Sequence, residues 1–170
     1  QYIRKMACSF GWDWGPTLVT AGIWRPVRLE RWSTARLAGV RPLVTVDGGT
    51  GRVEVRVEVE RTAQGAARPL AVRATVGAGL AKARGVVDGT QAVLTLEVPD
   101  ASLWWPRGYG DQALYDLELV LVEDGPASEE RPLDSWRRRI GFRTVELDRS
   151  ADRHGTGFTL VVNGERIFAR

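Results

Sequence analysis

Cysteine is nearly absent from this chain. Cys8 stands alone among 170 residues, so no internal disulfide framework exists. His154 is the only histidine, which excludes a two-histidine metal site. Of 24 basic residues only Lys5 and Lys82 are lysine; the rest are arginine. Asn163 is the only asparagine, and it begins no Asn-x-Ser/Thr sequon. No apolar run approaches the ~18 residues that a membrane helix needs. No segment carries a helical period of 3.6. No secretory leader opens the chain, and Gln1 in place of Met implies that this is not a native N-terminus. These absences leave no membrane partner and no metal or organic cofactor to expect.

With 44% hydrophobic residues, the chain suffices for one medium domain or a small domain with flanking pieces. A chain of this size buries roughly two-thirds of its unfolded surface and needs no disulfide or metal staple. Its 24 basic and 21 acidic residues give a net charge of +3. A nucleic-acid binder concentrates its bases in one stripe. Here bases and acids interleave, as in Arg52-Val53-Glu54-Val55-Arg56-Val57-Glu58, so a solvated sheet face is expected and nucleic acid is not.

The dominant period is two. Val53, Val55, Val57 and Val59 fall on one face, with charges on the other. That pattern predicts a half-buried antiparallel strand. Further strands are predicted at Leu37 to Val46, Leu70 to Val76, Leu80 to Val87, Gln91 to Val98, Leu114 to Glu123, and a long one at Ser135 to Asp148. Turns follow at Asp47-Gly48-Gly49, Asp88-Gly89-Thr90 and Asp124-Gly125-Pro126. Strands of this length with such punctuation predict an all-β sandwich. Residues 1–32 differ: Trp12, Trp14, Trp24 and Trp32 crowd there, and Ile23 to Trp32 is the one strand expected. At the other flank, Phe158 to Val162 and Arg166 to Ala169 enclose Asn163-Gly164, a strong hairpin signal. The chain stops at Arg170 inside an extended segment. Both ends therefore read as cut, and the chain as an internal slice of a longer protein.

Three segments could carry chemistry. In Phe10-Gly11-Trp12-Asp13-Trp14-Gly15-Pro16, an extended loop would send the tryptophan rings one way and the carboxylate the other. Aromatic faces pack on the C–H face of a pyranose, and a carboxylate accepts from its hydroxyls. The competing reading buries the tryptophans as core and leaves Asp13 to cap a turn. In Leu103-Trp104-Trp105-Pro106-Arg107-Gly108-Tyr109-Gly110, adjacent tryptophans point oppositely, so one of them is expected to pack on a neighbouring domain; sugar binding is the other option. In Trp136-Arg137-Arg138-Arg139-Ile140, strand alternation puts Arg137 and Arg139 on one face and Arg138 on the other. No basic stripe results, and a solvated edge with interdomain ion pairs is expected. Ser150, Asp152 and His154 read as a polar loop rather than a triad, and Cys8 as a quiet buried thiol.

The segment Lys5-Met6-Ala7-Cys8-Ser9-Phe10-Gly11-Trp12-Asp13-Trp14-Gly15-Pro16, with Gly22-Ile23-Trp24 and Val27-Arg28-Leu29-Glu30, resembles β-mannosidases of glycoside hydrolase family 2. Leu103-Trp104-Trp105-Pro106, Gly108-Tyr109-Gly110, Leu114-Tyr115 and Gly141-Phe142-Arg143-Thr144-Val145-Glu146 resemble that family's immunoglobulin-like domain. Phe158 and the closing run Val162-Asn163-Gly164-Glu165-Arg166-Ile167-Phe168-Ala169-Arg170 resemble its lead-in to the catalytic barrel. The resemblance implies that residues 1–33 end a jelly-roll domain, 34–148 form an immunoglobulin-like sandwich, and 149–170 are a hairpin opening an absent (β/α)8 barrel. It implies a retaining enzyme that hydrolyses terminal, non-reducing β-D-mannose with two barrel glutamates, which stand about 5 Å apart in such enzymes. This chain lacks the family's Asn-Glu dipeptide, so no catalytic residue is assigned in it. The substrate positions that carry over are Trp12, Asp13 and Trp14: Asp13 to accept from sugar hydroxyls, a tryptophan to wall the pocket. The implied partners are a β-mannoside and the missing jelly-roll and barrel domains.

Two other functions compete: a stand-alone carbohydrate- or protein-binding sandwich, and the same region of another family-2 enzyme such as an exo-β-glucosaminidase. The lone cysteine and missing sequon fit a bacterial cytoplasmic protein.

Overall fold

The computed structural model describes residues 4–125 and 130–168. Pro126 of the expected turn, and Ala169 and Arg170 of the expected last strand and closing motif, lie outside them. The chain divides into two compact units, Gln1–Arg31 and Trp32–Arg170.

The first unit holds a one-turn 3-10 helix, Ala7–Phe10, and a single bridge between Trp12 and Gly15. No strand occurs among its described residues. The expected strand at Ile23 to Trp32 is irregular. A strand needs a neighbour to satisfy its amides and carbonyls, and nothing within residues 4–31 runs beside this segment. No described side chain of the unit is buried, so Cys8 is exposed rather than the buried thiol expected from sequence.

The second unit is all-β. Its strands are β1 (Ala35–Asp47), β2 (Thr50–Arg61), β3 (Leu70–Val76), β4 (Ala81–Val86), β5 (Gln91–Val98), β6 (Tyr115–Glu123) and β7 (Arg131–Ile140), then β8 (Val145–Asp148), β9 (Ala151–Asp152), β10 (Gly155–Thr156), β11 (Thr159–Val162) and β12 (Glu165–Ile167). A three-stranded sheet ordered β1-β2-β5 faces a four-stranded sheet ordered β4-β3-β6-β7. All pairings are antiparallel. This is an immunoglobulin-like sandwich in which β4 pairs with β3 instead of completing the β1-β2-β5 sheet.

Alternation builds the core. Val53, Val55, Val57 and Val59 of β2 and Leu94, Leu96 and Val98 of β5 point inward from one sheet. They meet Leu70, Val72, Ala74 and Val76 of β3 and Leu117, Leu119 and Leu121 of β6. Fully burying each such aliphatic side chain stabilises the fold by about 1.5–3 kcal/mol before entropy is counted. Phe142 closes one end of this core, edge-on to Tyr115 with ring centroids 5.1 Å apart. Tyr115 also accepts from the Ser102 amide through its hydroxyl at 2.8 Å. Gly48 and Gly49, both at positive φ (53° and 84°), make the two-residue turn between β1 and β2.

The expected long strand Ser135 to Asp148 is broken after Ile140. The Trp104 amide donates to the Phe142 carbonyl at 2.8 Å, which draws the chain out of the sheet. Beyond the break, β8 joins β11 and β12 in a separate three-stranded sheet ordered β12-β11-β8. The expected hairpin is present as β11 and β12, with Asn163 and Gly164 at its turn, at φ 51° and 82°.

Candidate functional site

Trp12, Asp13, Trp14 and Gly15 form a tight turn closed by Gly15 N–H to the Trp12 carbonyl at 3.4 Å. Sequence alternation had predicted an extended loop here. The difference lies in that hydrogen bond and in Gly11, which enters the turn at φ 140°, a conformation that residues with a side chain rarely adopt. Asp13 and Trp14 therefore occupy the two corner positions. The rings of Trp12 and Trp14 still come together, edge to face at 71°, with centroids 5.3 Å apart.

This geometry leaves Trp12 52% and Trp14 83% exposed, and Asp13 exposed between them. Within this unit the tryptophans are not core, and no described residue of the unit supplies a hydrogen bond that would make Asp13 a turn cap. Chemically the turn offers two steeply inclined aromatic surfaces and one anionic acceptor within a four-residue span. Such a set can hold a polar ring with one apolar face. Arg25 lies 4.2 Å over the Trp24 ring, so a third exposed indole of the unit is stacked by a cation.

The other sequence candidates sort differently. Trp104 and Trp105 are both half-buried inside their own unit. Arg143 lies 4.7 Å over the Trp104 ring, and a Cβ added at Gly110 would sit 2.8 Å from the Trp105 ring. The arginine run lies on an edge strand as expected, but its ion pairs are made within the sheet. Arg137 meets Asp116 at 2.8 Å and Glu118 at 3.2 Å across β6. The Arg137 contact holds the Asp116 carboxyl below its usual value. Ser150 turns its hydroxyl to Asp148, and His154 Nε2 accepts from Arg153 at 2.8 Å.

Two features escaped the sequence reading. Arg73 and Arg84 sit directly opposite each other across β3 and β4, a like-charge pair that would destabilise the sheet. Glu130, its side chain only 4% exposed, meets both at 3.2 Å, and Asp124 joins Arg84. Asp124 and then Glu130 raise the Arg84 pKa. The second is Asn163, whose side chain bonds to two separate segments. Spacing signals neither, because the partners lie tens of residues apart in sequence. Among the described residues no group of three or more His, Cys, Asp or Glu side chains could hold a metal.

Comparison with known proteins agrees with this architecture. Residues 1–25 match the description "Glycosyl hydrolase 2 galactose-binding domain-like", and residues 35–143 match "Glycosyl hydrolases family 2". The chain belongs to glycosyl hydrolases family 2. It is 39% identical over 169 residues to β-mannosidase B of Aspergillus fumigatus, covering 98% of this chain and 19% of that protein. Among solved structures it is similar to the β-D-mannosidase of Dictyoglomus thermophilum, with TM-score 0.77 and 33% identity, covering 98% of this chain and 20% of that one. The exo-chitosanase of Amycolatopsis orientalis shares the fold, with TM-score 0.64 and 21% identity over 81% of this chain and 16% of that one. The chain thus spans about a fifth of the length of the curated relatives it matches.

Proposed function

We propose that this chain is the accessory part of a retaining exo-β-mannosidase acting on terminal, non-reducing β-D-mannose. The observation that carries the reading is the exposed Trp12-Asp13-Trp14 turn, in a chain that aligns over 98% of its length with β-mannosidases. In this reading residues 1–33 belong to a jelly-roll domain, 34–148 to the sandwich, and 149–170 lead into a catalytic barrel. The catalytic glutamates lie on that barrel, and this chain alone is inactive.

The turn works by positioning. The Asp13 carboxylate accepts from hydroxyls of the terminal sugar, and an indole walls the ring. Holding the glycosidic bond where barrel carboxylates reach it converts binding contacts into rate. Mannose differs from its relatives in the orientation of a hydroxyl. Once the sugar covers it, a carboxylate tells such isomers apart more sharply than an apolar wall does, because an acceptor left mispaired away from water is costly.

The test uses the full-length polypeptide that contains this chain. Hydrolysis of nitrophenyl β-mannoside should exceed that of the β-glucosaminide. Asp13→Ala should lower kcat/KM for the mannoside at least tenfold with unchanged melting. Preference for the glucosaminide would move the enzyme to another branch of the family. Unchanged kinetics in Asp13→Ala would remove this residue from the site.

A further inference from the structure

Asn163 lies at the tip of the β11–β12 hairpin, yet its side chain is spent on the sandwich. Its Nδ2 donates to the Trp104 carbonyl at 3.1 Å, 59 residues away in sequence. Its Oδ1 accepts from the Thr144 amide at 3.0 Å, and its own amide donates to the Thr144 carbonyl at 3.1 Å. Trp104 is in turn tied to Phe142, the aromatic that closes the core. One residue therefore joins the hairpin tip, the segment between β7 and β8, and the tryptophan loop. In the same tryptophan loop, the Tyr109 hydroxyl accepts from the Phe168 amide at 3.3 Å, just past β12.

The turn by itself does not demand asparagine. Glycine meets a positive φ equally well, and aspartate is common in the same turn type. What asparagine alone provides is a donor and an acceptor on one short planar group. Here the donor faces a carbonyl and the acceptor faces an amide, so both halves are used.

We infer that Asn163 is a positioning residue: it fixes the seat of the β11–β12 hairpin on the sandwich through paired bonds to Trp104 and Thr144. In the enzyme proposed above, whose barrel continues from this hairpin, the clasp sets how the sandwich stands against the catalytic domain. That consequence rests on the proposed function; the clasp itself does not, and its test needs no activity.

The test is amide hydrogen exchange on this chain, comparing Asn163→Gly and Asn163→Asp with the parent. Asn163→Gly keeps the turn and loses both side-chain bonds. Protection of Thr144 and of β8, β11 and β12 should fall at least tenfold, with β2 and β5 unchanged. Asn163→Asp keeps the acceptor and replaces the donor. At pH 7 Thr144 should stay protected while the hairpin strands loosen, because a carboxylate oxygen now faces the Trp104 carbonyl. Below about pH 4, near the ordinary aspartate pKa, the protonated carboxyl can donate again and hairpin protection should return. Parent-like hairpin protection in Asn163→Gly would overturn the inference, because the turn alone would then seat the hairpin. Equal loss of protection in β2 and β5 would also overturn it, by showing general destabilisation. In Asn163→Asp, no recovery at low pH would show that the Trp104 bond does not hold the seat.

Discussion

The backbone amide of Leu37 donates to the Asp134 carboxylate at 2.8 Å, linking the two sheets of the sandwich along one edge. Leu37 lies where β1 shifts register against β2, between Leu37 and Gly39. Asp134 lies where β7 shifts register against β6, near Leu121 and Val122. Each irregularity frees polar groups from its own ladder. The two meet, and the carboxylate also accepts from the Ser135 amide at 2.7 Å. Asp134→Ala should therefore destabilise the chain by about 1.5–2 kcal/mol, the lower part of the range for bonds to a charged group because the site is only part-buried. Urea denaturation measures this; an unchanged midpoint would mean that water replaces the carboxylate without loss.

Gly51 faces the ring of Phe142 across the core. A Cβ at Gly51 would lie 2.5 Å from that ring, and Phe142 has no exposed surface through which to retreat. Gly51→Ala should cost about 1–3 kcal/mol through overpacking, read as a lower melting temperature. Full stability would show that Phe142 has a second accessible rotamer.

Glu130 separates Arg73 from Arg84. Glu130→Ala leaves two guanidiniums opposed across β3 and β4, so melting temperature should fall, and 1 M salt should restore part of it by screening. A loss insensitive to salt would assign the effect to packing of the glutamate chain instead.

Asp148 carries the pH dependence of the hairpin sheet. The Ser150 hydroxyl, the Ser150 amide and then the Arg166 guanidinium hold its carboxyl below the usual 3.8. A carboxyl whose pKa is depressed by folding stabilises the fold fully above its unfolded value. That contribution is lost as pH falls through the lower folded value. The pairing of β8 with β11 should thus weaken only in strong acid. Carbon-detected titration of Asp148 should give a midpoint under 3.8, moving upward in Ser150→Ala. A midpoint at or above 3.8 in the parent would refute the assigned contacts.

The strands were legible because half-buried sheet writes a period of two into the chain. Leu70 to Val76 and Gln91 to Val98 are found as β3 and β5 with the same bounds, and the valine alternation marks the buried face of β2. Glycine at positive φ made the turns readable at Gly48-Gly49 and Asn163-Gly164. The Trp-Asp-Trp segment could be singled out by residue type, since few other side chains offer an aromatic plane and a hydroxyl acceptor together.

Other features depended on partners far away in sequence. The break after Ile140 exists because Trp104 captures Phe142, and no local pattern near residue 140 encodes that capture. Ile23 to Trp32 has strand-forming residues but no neighbour in its unit to pair with. Local alternation misjudged the shape of the Trp12 turn, because Gly11 enters it at φ 140° and the Gly15 amide folds back onto the Trp12 carbonyl. Sequence by itself determined which faces are apolar and where the chain can turn, since these are properties of single residues and their spacing. Only the tertiary structure decided which strands pair, which carboxylate meets Leu37, and that Asn163 clasps Trp104, because a hydrogen bond forms between atoms brought within about 3 Å whatever their separation along the chain.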